Sequence, residues 1–413
     1  MSRIVEVLLP GRLGIGFRWL VASSWVSNIG DGIAMAAAPL LVASQTRSPV
    51  LVAAAVLLQR LPWLLFGLYA GALADRLDRR RVVIVADALR AVLLVGLCFV
   101  IATGAVNIAI VLVAVFLYGT AEVFADTTSS TLTPMLVDRA DLGIANVRLQ
   151  AGFLTANQLV GPPVGAFLFA AGMVLPFLVQ VVCAATAVVL VSRISTPPGA
   201  VRDVGETHVR RDIADGVRWL LSNRPIRTLA LVIVTFNITW AAAWSVLVLW
   251  SLDRLQMGEV GFGLLTTAAA AGGIVGTASY GWLERRVPLA ALMRACLLLE
   301  VVTHLSLALA QTAWQAYVTM FVFGAYAFVW GTLSNAVRQR AVPTQFQGRV
   351  GSVYLMCVMA GMVAGTALGG VIADVWGLTG PFWFAFVGSG LTLALVWRQL
   401  NHIAHADEVV SAA

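Results

Sequence analysis

The chain is a succession of apolar runs, each about as long as a bilayer is thick. A helix crosses the hydrocarbon with roughly 20 apolar residues. Twelve runs of that order can be read off, at about 17–43, 49–73, 82–104, 107–130, 146–170, 173–192, 226–250, 259–283, 288–310, 313–337, 350–374 and 380–398. They are continuously apolar and do not alternate, so the backbone must satisfy itself inside helices and not around a barrel. Hydrophobic residues make up 60% of the chain and charged residues 11%. A soluble domain carries about 25% charged residues, so this chain has too little polar surface to fold in water. The expected class is an all-α membrane protein with twelve transmembrane helices.

Charge placement predicts topology. All 27 basic residues are arginine. Arg47 and Arg254 fall in one set of loops, and Arg60 and Arg90 fall inside helices. The other 23 lie in, or at the helix ends beside, the alternate set of loops. The positive-inside rule makes that set cytoplasmic, together with both termini. The net charge of +7 then reflects topology and not nucleic-acid affinity. The expected location is a bacterial-type plasma (inner) membrane, crossed many times. The segment before the first run has no cleavage pattern, so the first run is expected to persist as a helix. Cys98, Cys183, Cys296 and Cys357 sit singly in four different runs, which leaves no metal spacing or disulfide framework.

A polar segment divides the runs six and six. The expected organisation is an N-terminal bundle at 1–193, a cytoplasmic linker at 194–225, a C-terminal bundle at 226–400 and a cytoplasmic tail at 401–413. Within the linker, Ile213, Val217, Leu220 and Leu221 share one helical face, and Arg211, Asp212, Asp215 and Arg218 take the other. That reads as an amphipathic helix on the membrane surface, or as a solvated linker helix. The halves repeat at an offset of 209 residues, which places Arg18 on Arg227, Asn28 on Asn237, Gly67 on Gly276, Asp75–Arg76 on Glu284–Arg285, Pro134 on Pro343 and Gly161 on Gly370.

Charges inside a membrane are expensive and mark functional sites by default. Asp31 lies midway along the first run, on one face with Ser24 and Asn28. Glu122 and Asp126 lie four residues apart in the fourth run, with Tyr118 one turn before them. Two carboxylates on one face repel when both are ionised, which suits reversible proton binding. Arg60, midway along the second run, is the expected partner of Asp31 or Glu122. A static buried salt bridge is the competing reading. Asp87 and Arg90 look like a structural pair tied to Asp75. Glu300 and His304, also four apart, read as a hydrogen-bonded pair turned into the bundle, with a proton relay as the second reading.

Between the second and third runs stands GLYAGALADRLDRRR. Gly71, Leu73, Ala74, Asp75 and Arg76, followed by Arg79, Arg80 and Arg81, resemble the signature loop of the major facilitator superfamily. Asp78 stands where that family usually has glycine. Gly161, Pro162 and Gly165 in the fifth run partly resemble the helix-5 motif of exporters, with Asn157 and Ala166 in place of two of its glycines. The stretches TPMLVDRADLGIANVR and RQRAVPTQFQGRVGS, and the linker helix, resemble the drug:proton antiporter branch that holds macrolide and siderophore exporters. This resemblance spans nearly the whole chain.

The resemblance implies two pseudo-symmetric six-helix bundles with substrate between them near the midplane. It implies that Gly71, Asp75, Arg76, Arg79 and Arg80 form the gating motif, and that helices 1, 4, 7 and 10 line a cavity. Asn28, Tyr118, Asn237, Trp240, Trp244, Tyr326 and Trp330 are then the expected cavity residues, and Asp31, Glu122, Asp126 and Arg60 the proton-coupling ones. The function implied is export of small hydrophobic or amphipathic compounds, drug- or siderophore-like, by alternating access. The proton gradient supplies the energy, since no P-loop motif occurs and no cofactor or metal is called for. The partners implied are a small-molecule substrate and the lipid bilayer, with the chain a monomer. A lipid or lysolipid flippase, a proton-coupled importer and a non-transporting membrane sensor stay open as alternatives. An enzyme does not, because no nucleophile or metal cluster can be read.

Overall fold

A computed structural model describes residues 13–195, 209–343 and 346–401. The side chains of Leu68, Ala72, Asp75 and residues 209–213 lie outside the described set. The described chain is helical throughout. Its long helices are α1 (Gly14–Gln45), α2 (Pro49–Arg76), α3 (Arg79–Ala102), α4 (Ile108–Ser130), α5 (Arg139–Ala171), α6 (Leu175–Ser192), α7 (Arg224–Trp244), α8 (Gly258–Arg286), α9 (Leu289–Leu309), α10 (Ala313–Ala341), α11 (Gln347–Trp376) and α12 (Gly380–Val396). Eleven are long and apolar enough to cross a bilayer, and α12 is a shorter apolar helix of 17 residues. At 1.5 Å per residue α12 still covers most of the hydrocarbon. Several helices start earlier than the apolar runs indicate, α5 most of all at Arg139, and α1, α3 and α11 at Gly14, Arg79 and Gln347, because helix continues into the polar flanks where hydropathy has already fallen.

The chain forms two compact units. One comprises Met1–Thr46, Leu58–Gly205 and Phe262–Thr267; the other comprises Arg47–Leu57, Glu206–Gly261 and Ala268–Ala413. Each unit therefore takes one short piece of the opposite half of the sequence. Under the 209-residue offset the first piece maps onto 256–266, which overlaps the second at 262–266.

Glycine decides how closely helices approach within each unit. In the first, Gly161 lies against the backbone of Gly32, and Gly165 against that of Ile33, which leaves no room for a Cβ at either position. The helix-5 motif is thus the surface on which α1 and α5 touch. Just before it, α5 widens into a π-helical stretch, Phe153–Val160, which reorients the helix ahead of the contact. In the second unit Gly361, Gly365 and Gly369 on α11 meet the backbone of Val234, Ile238 and Ala242 on α7. Small residues of this kind let membrane helices gain dispersion contacts where lipid removes the hydrophobic driving force. Gly71 differs, because a Cβ there would meet nothing within 4 Å.

The α2–α3 turn explains Asp78. This residue is the N-cap of α3, and its carboxylate accepts from the Arg81 N–H at 3.3 Å. It also pairs with the Arg81 side chain at 3.4 Å. A capping carboxylate at a helix N-terminus is worth about 1 kcal/mol over alanine, and only a few tenths over the glycine usual in the family, itself a good N-cap. Elsewhere the helix before α7, Val209–Ser222, docks onto α11. Gly216 lies against the Arg349 backbone, Trp219 stacks on Phe346 at 6.0 Å and Leu220 is buried. Val217 and Leu221 stay exposed, and Ile213 lies outside the described side chains. The apolar face read from the sequence is therefore split between a protein contact and a free edge.

Gly165→Leu should force α1 from α5 and cost about 1–3 kcal/mol or more, whereas Gly71→Ala should leave stability unchanged or raised by up to about 1 kcal/mol. Thermal unfolding of the detergent-solubilised variants by size-exclusion fluorescence would show the contrast.

Candidate functional site

Four helices of the first unit deliver polar side chains to one buried point. Arg90 of α3, with a side chain 3% exposed, bonds Asp31 of α1 and the hydroxyl of Tyr118 of α4. It also pairs with Asp87, one turn earlier on α3, at 3.0 Å. The Tyr118 hydroxyl donates to Asp31 Oδ1 at 2.9 Å and accepts from Gln180 Nε2 of α6 at 2.8 Å. Ser27 Oγ donates to Asp31 Oδ2 at 3.3 Å. The tyrosine oxygen thus gives one hydrogen bond and receives two, its full capacity. One guanidinium stands between two carboxylates, so the cluster is electrostatically satisfied only while one of them is discharged or the surplus charge is met by water.

The cluster forms one wall of a cavity of about 280 Å³. Ser24, Asn28, Glu122, Asp126 and Asn157 add to its polar lining. Glu122 is half-buried and Asp126 exposed to the cavity. Asn28 turns its amide back to Ser24, donating to the carbonyl at 2.7 Å. Carboxylates therefore outnumber the one guanidinium of the cluster, and the space beside them is polar and wide enough for water or for a small cationic group.

Asp31 is bonded by the guanidinium of Arg90; Arg60, the expected partner of Asp31 or Glu122, is half-buried on α2. The Asp87–Arg90 pair is real, but the structure joins it to Asp31 and Tyr118. Spacing along α3 reveals only the pair at i, i+3, and the cross-helix partner depends on packing. Sequence reasoning passes over Gln180. Its one signal is that of a lone amide in the otherwise apolar helix LPFLVQVVCAATAVVLVS.

In the second unit, Trp240 and Trp244 of α7 stack at 4.9 Å, and Phe323 of α10 packs against both, at 6.4 and 5.6 Å. Asn237 donates to the Ile233 carbonyl at 2.8 Å, and Trp330 is half-buried. Tyr326, an expected cavity residue, is buried, and its hydroxyl donates to Glu300 Oε2 on α9 at 2.6 Å, which satisfies a phenol that would be costly to bury without a partner.

At the α2–α3 loop, Arg79 donates to the Ala74 carbonyl at 3.0 Å and reaches Met135 Sδ at 2.9 Å. Arg80 bonds the Ser192 carbonyl, and Arg76 is exposed. The Asp75 side chain lies outside the described residues. In the repeat-related loop, Glu284 pairs with Arg340 at 3.4 Å and accepts from the Tyr280 hydroxyl at 3.2 Å.

Apolar helices enclosing a charged cluster and a polar cavity describe a multi-pass membrane protein with a polar interior. The chain belongs to the transmembrane secretion effector family of the major facilitator superfamily, whose profile matches residues 10–412. It is similar to the multidrug efflux pump Tap of Mycolicibacterium fortuitum, 28% identical over 88% of this chain and 90% of that one. It is also similar to the enterobactin exporter EntS of Escherichia coli O9:H4 (strain HS), 25% identical over 96% and 95% of the two chains. Among solved structures, a bacterial homologue of the iron transporter ferroportin in an inward-facing state superposes with a TM-score of 0.76 at 18% identity, covering 93% of this chain and 98% of that one. The nucleoside transporter NupG gives 0.70 at 11% identity, covering 95% and 100%. At those identities the structural likeness establishes the fold.

Arg90→Met would leave two buried carboxylates without a cation and should destabilise the protein by about 3–5 kcal/mol. Adding Asp31→Asn and Asp87→Asn should restore most of that loss, as thermal unfolding in detergent would show.

Proposed function

We propose that this transporter exports small hydrophobic or amphipathic compounds, drug- or siderophore-like, in exchange for protons by alternating access. The observation that carries the reading is the unequal charge of the first-unit cavity. Asp31, Asp87, Glu122 and Asp126 gather around one buried arginine, Arg90. A proton that enters this cavity has a chemical destination, and its arrival changes how helices are held together. Asp31 is the most consequential acceptor. Ionised, it ties α1 to α3 through Arg90 and to α4 through Tyr118. Protonated, it gives up the ion pair and leaves Arg90 to Asp87. Proton binding on α1 is thereby converted into a loosening of contacts between helices.

Export rather than uptake is supported by the relatives, both named as efflux systems. It is also supported by the Gly161–Pro162–Gly165 contact between α5 and α1, where close backbone approach allows helices to shift without side-chain collisions. The surplus of carboxylates favours a cationic or amine-bearing cargo, and the Trp240–Trp244–Phe323 group offers aromatic faces for a flat or cationic one. We assign the cytoplasmic gate to the α2–α3 loop. There Arg79 holds a carbonyl in the last turns of α2, and the open space beside Gly71 leaves room for a neighbouring element to close in. No resident cofactor is needed, since the proton gradient drives the cycle.

Efflux of a fluorescent lipophilic cation from proteoliposomes under an imposed pH gradient tests the reading. The wild-type protein should show gradient-driven flux. Asp31→Asn should lower it at least tenfold while retaining substrate binding. Undiminished gradient-driven flux in Asp31→Asn would remove that residue from coupling, and flux indifferent to the gradient would favour a flippase.

A further inference from the structure

We propose that Glu300 and His304 form a second proton-binding site, buried in the other unit and linked through Tyr326 to the aromatic group on α7 and α10. The two side chains lie one turn apart on α9, with His304 Nε2 and Glu300 Oε1 at 3.0 Å. The other carboxylate oxygen, Oε2, accepts from Tyr326 at 2.6 Å. The imidazole is 3% exposed and the carboxylate 10%. Both oxygens of Glu300 are therefore engaged, and Nε2 of His304 is engaged with them. The remaining ring nitrogen, Nδ1, is buried and has no hydrogen-bond partner among the described residues.

That open nitrogen gives the site two forms. In one, Glu300 is a carboxylate, His304 donates from Nε2 and Nδ1 carries a bare lone pair, so the pair has a net charge of −1. In the other, one proton from water has added to Nδ1, and an imidazolium faces a carboxylate with no net charge. No other bond is made or broken. The fixed charges on the packed helices are bonded elsewhere: Arg294 of α9 donates to the Trp397 carbonyl and to Asn401, Arg338 of α10 donates to Asn335, and Arg340 of α10 pairs with Glu284. On α9 the other titratable group of the buried face is Cys296, and α10 contributes the phenol of Tyr326. The helix α12, which also packs on α9, has no titratable residue between Gly380 and Val396. The helix α8, which meets α10 at Gly272 and Gly276, carries Tyr280, Glu284, Arg285 and Arg286 toward its end; Tyr280 donates to Glu284, Arg340 pairs with Glu284, and Arg286 lies over the Trp282 ring. An uncompensated charge inside a bundle is expensive, so this pair has reason to take up a proton and a neighbour that registers it.

Tyr326 is that neighbour. Its ring meets Phe323 edge-on at 5.7 Å, and Phe323 packs on Trp240 and Trp244. The charge on Glu300 sets how strongly it holds the phenol, and the phenol props the aromatic group. The repeat reinforces the assignment. In the first unit the charged cluster uses α3 and a tyrosine of α4. Here it uses the corresponding helices, α9 and α10, with Glu300 and Tyr326 each within one residue of the positions equivalent to Arg90 and Tyr118.

The role in a transport cycle rests on the proton-coupled reading, but titration needs neither substrate nor flux, so the two can fail separately. The chain has four histidines. His208→Gln, His402→Gln and His405→Gln together leave His304 as the only imidazole. With ¹⁵N-histidine in this variant, reconstituted in lipid, ring-nitrogen spectra should pass from a neutral to an imidazolium pattern between about pH 5 and pH 9. Glu300→Gln in the same background should displace the midpoint by about one pH unit or more. One unchanging pattern across the range would overturn the proposal and make the pair a static bridge. A midpoint unmoved by Glu300→Gln would overturn the shared site.

Discussion

Arg90 is the residue on which the first unit's polar interior depends. A bilayer supplies no water to a buried charge, so each ionised group within it must find a partner inside the protein. Arg90 meets that demand for Asp31 and Asp87 at once, and Tyr118, which it also bonds, accepts from Gln180. Helices α1, α3, α4 and α6 are thereby fastened at one depth. The carboxylates around Arg90 outnumber that one guanidinium, and the polar cavity beside them is wide enough for water.

The second unit solves the same problem without a guanidinium. Glu300 is satisfied by a histidine and a tyrosine, and the aromatic group beside Tyr326 occupies the helix α7 that corresponds to the Asp31-bearing α1. Duplication has left the scaffold alike and the chemistry different. Glycine-mediated contacts recur in both units, between α1 and α5 and between α7 and α11.

Much of this was legible along the chain. Apolar runs gave the helices, the repeat offset related the halves, and single polar residues in apolar runs flagged Asp31, Glu122, Asp126, Glu300 and His304. Pairings within one helix, such as Asp87 with Arg90 and Glu300 with His304, could be read because spacing at i, i+3 or i, i+4 fixes them. Pairings between helices could not. Arg60 and Arg90 are equally plausible partners for Asp31 by depth alone, and only the rotation and packing of α3 select Arg90. Tyr326 was legible as an aromatic residue on α10 but not as a ligand of Glu300, since one residue's rotation about a helix separates a cavity wall from a core.

What the sequence determines by itself is the medium, the number of crossings and the family, because these follow from hydropathy, charge placement and local motifs that need no neighbours. The tertiary structure decides which charge answers which. It turns the helix-5 glycines into the contact with α1, Asp78 into the cap of α3, and Gln180 into a member of the charged cluster. The reason is physical. Hydropathy is a sum over residues next to one another in the chain, whereas a hydrogen bond or an ion pair depends on a few ångströms between residues far apart in it.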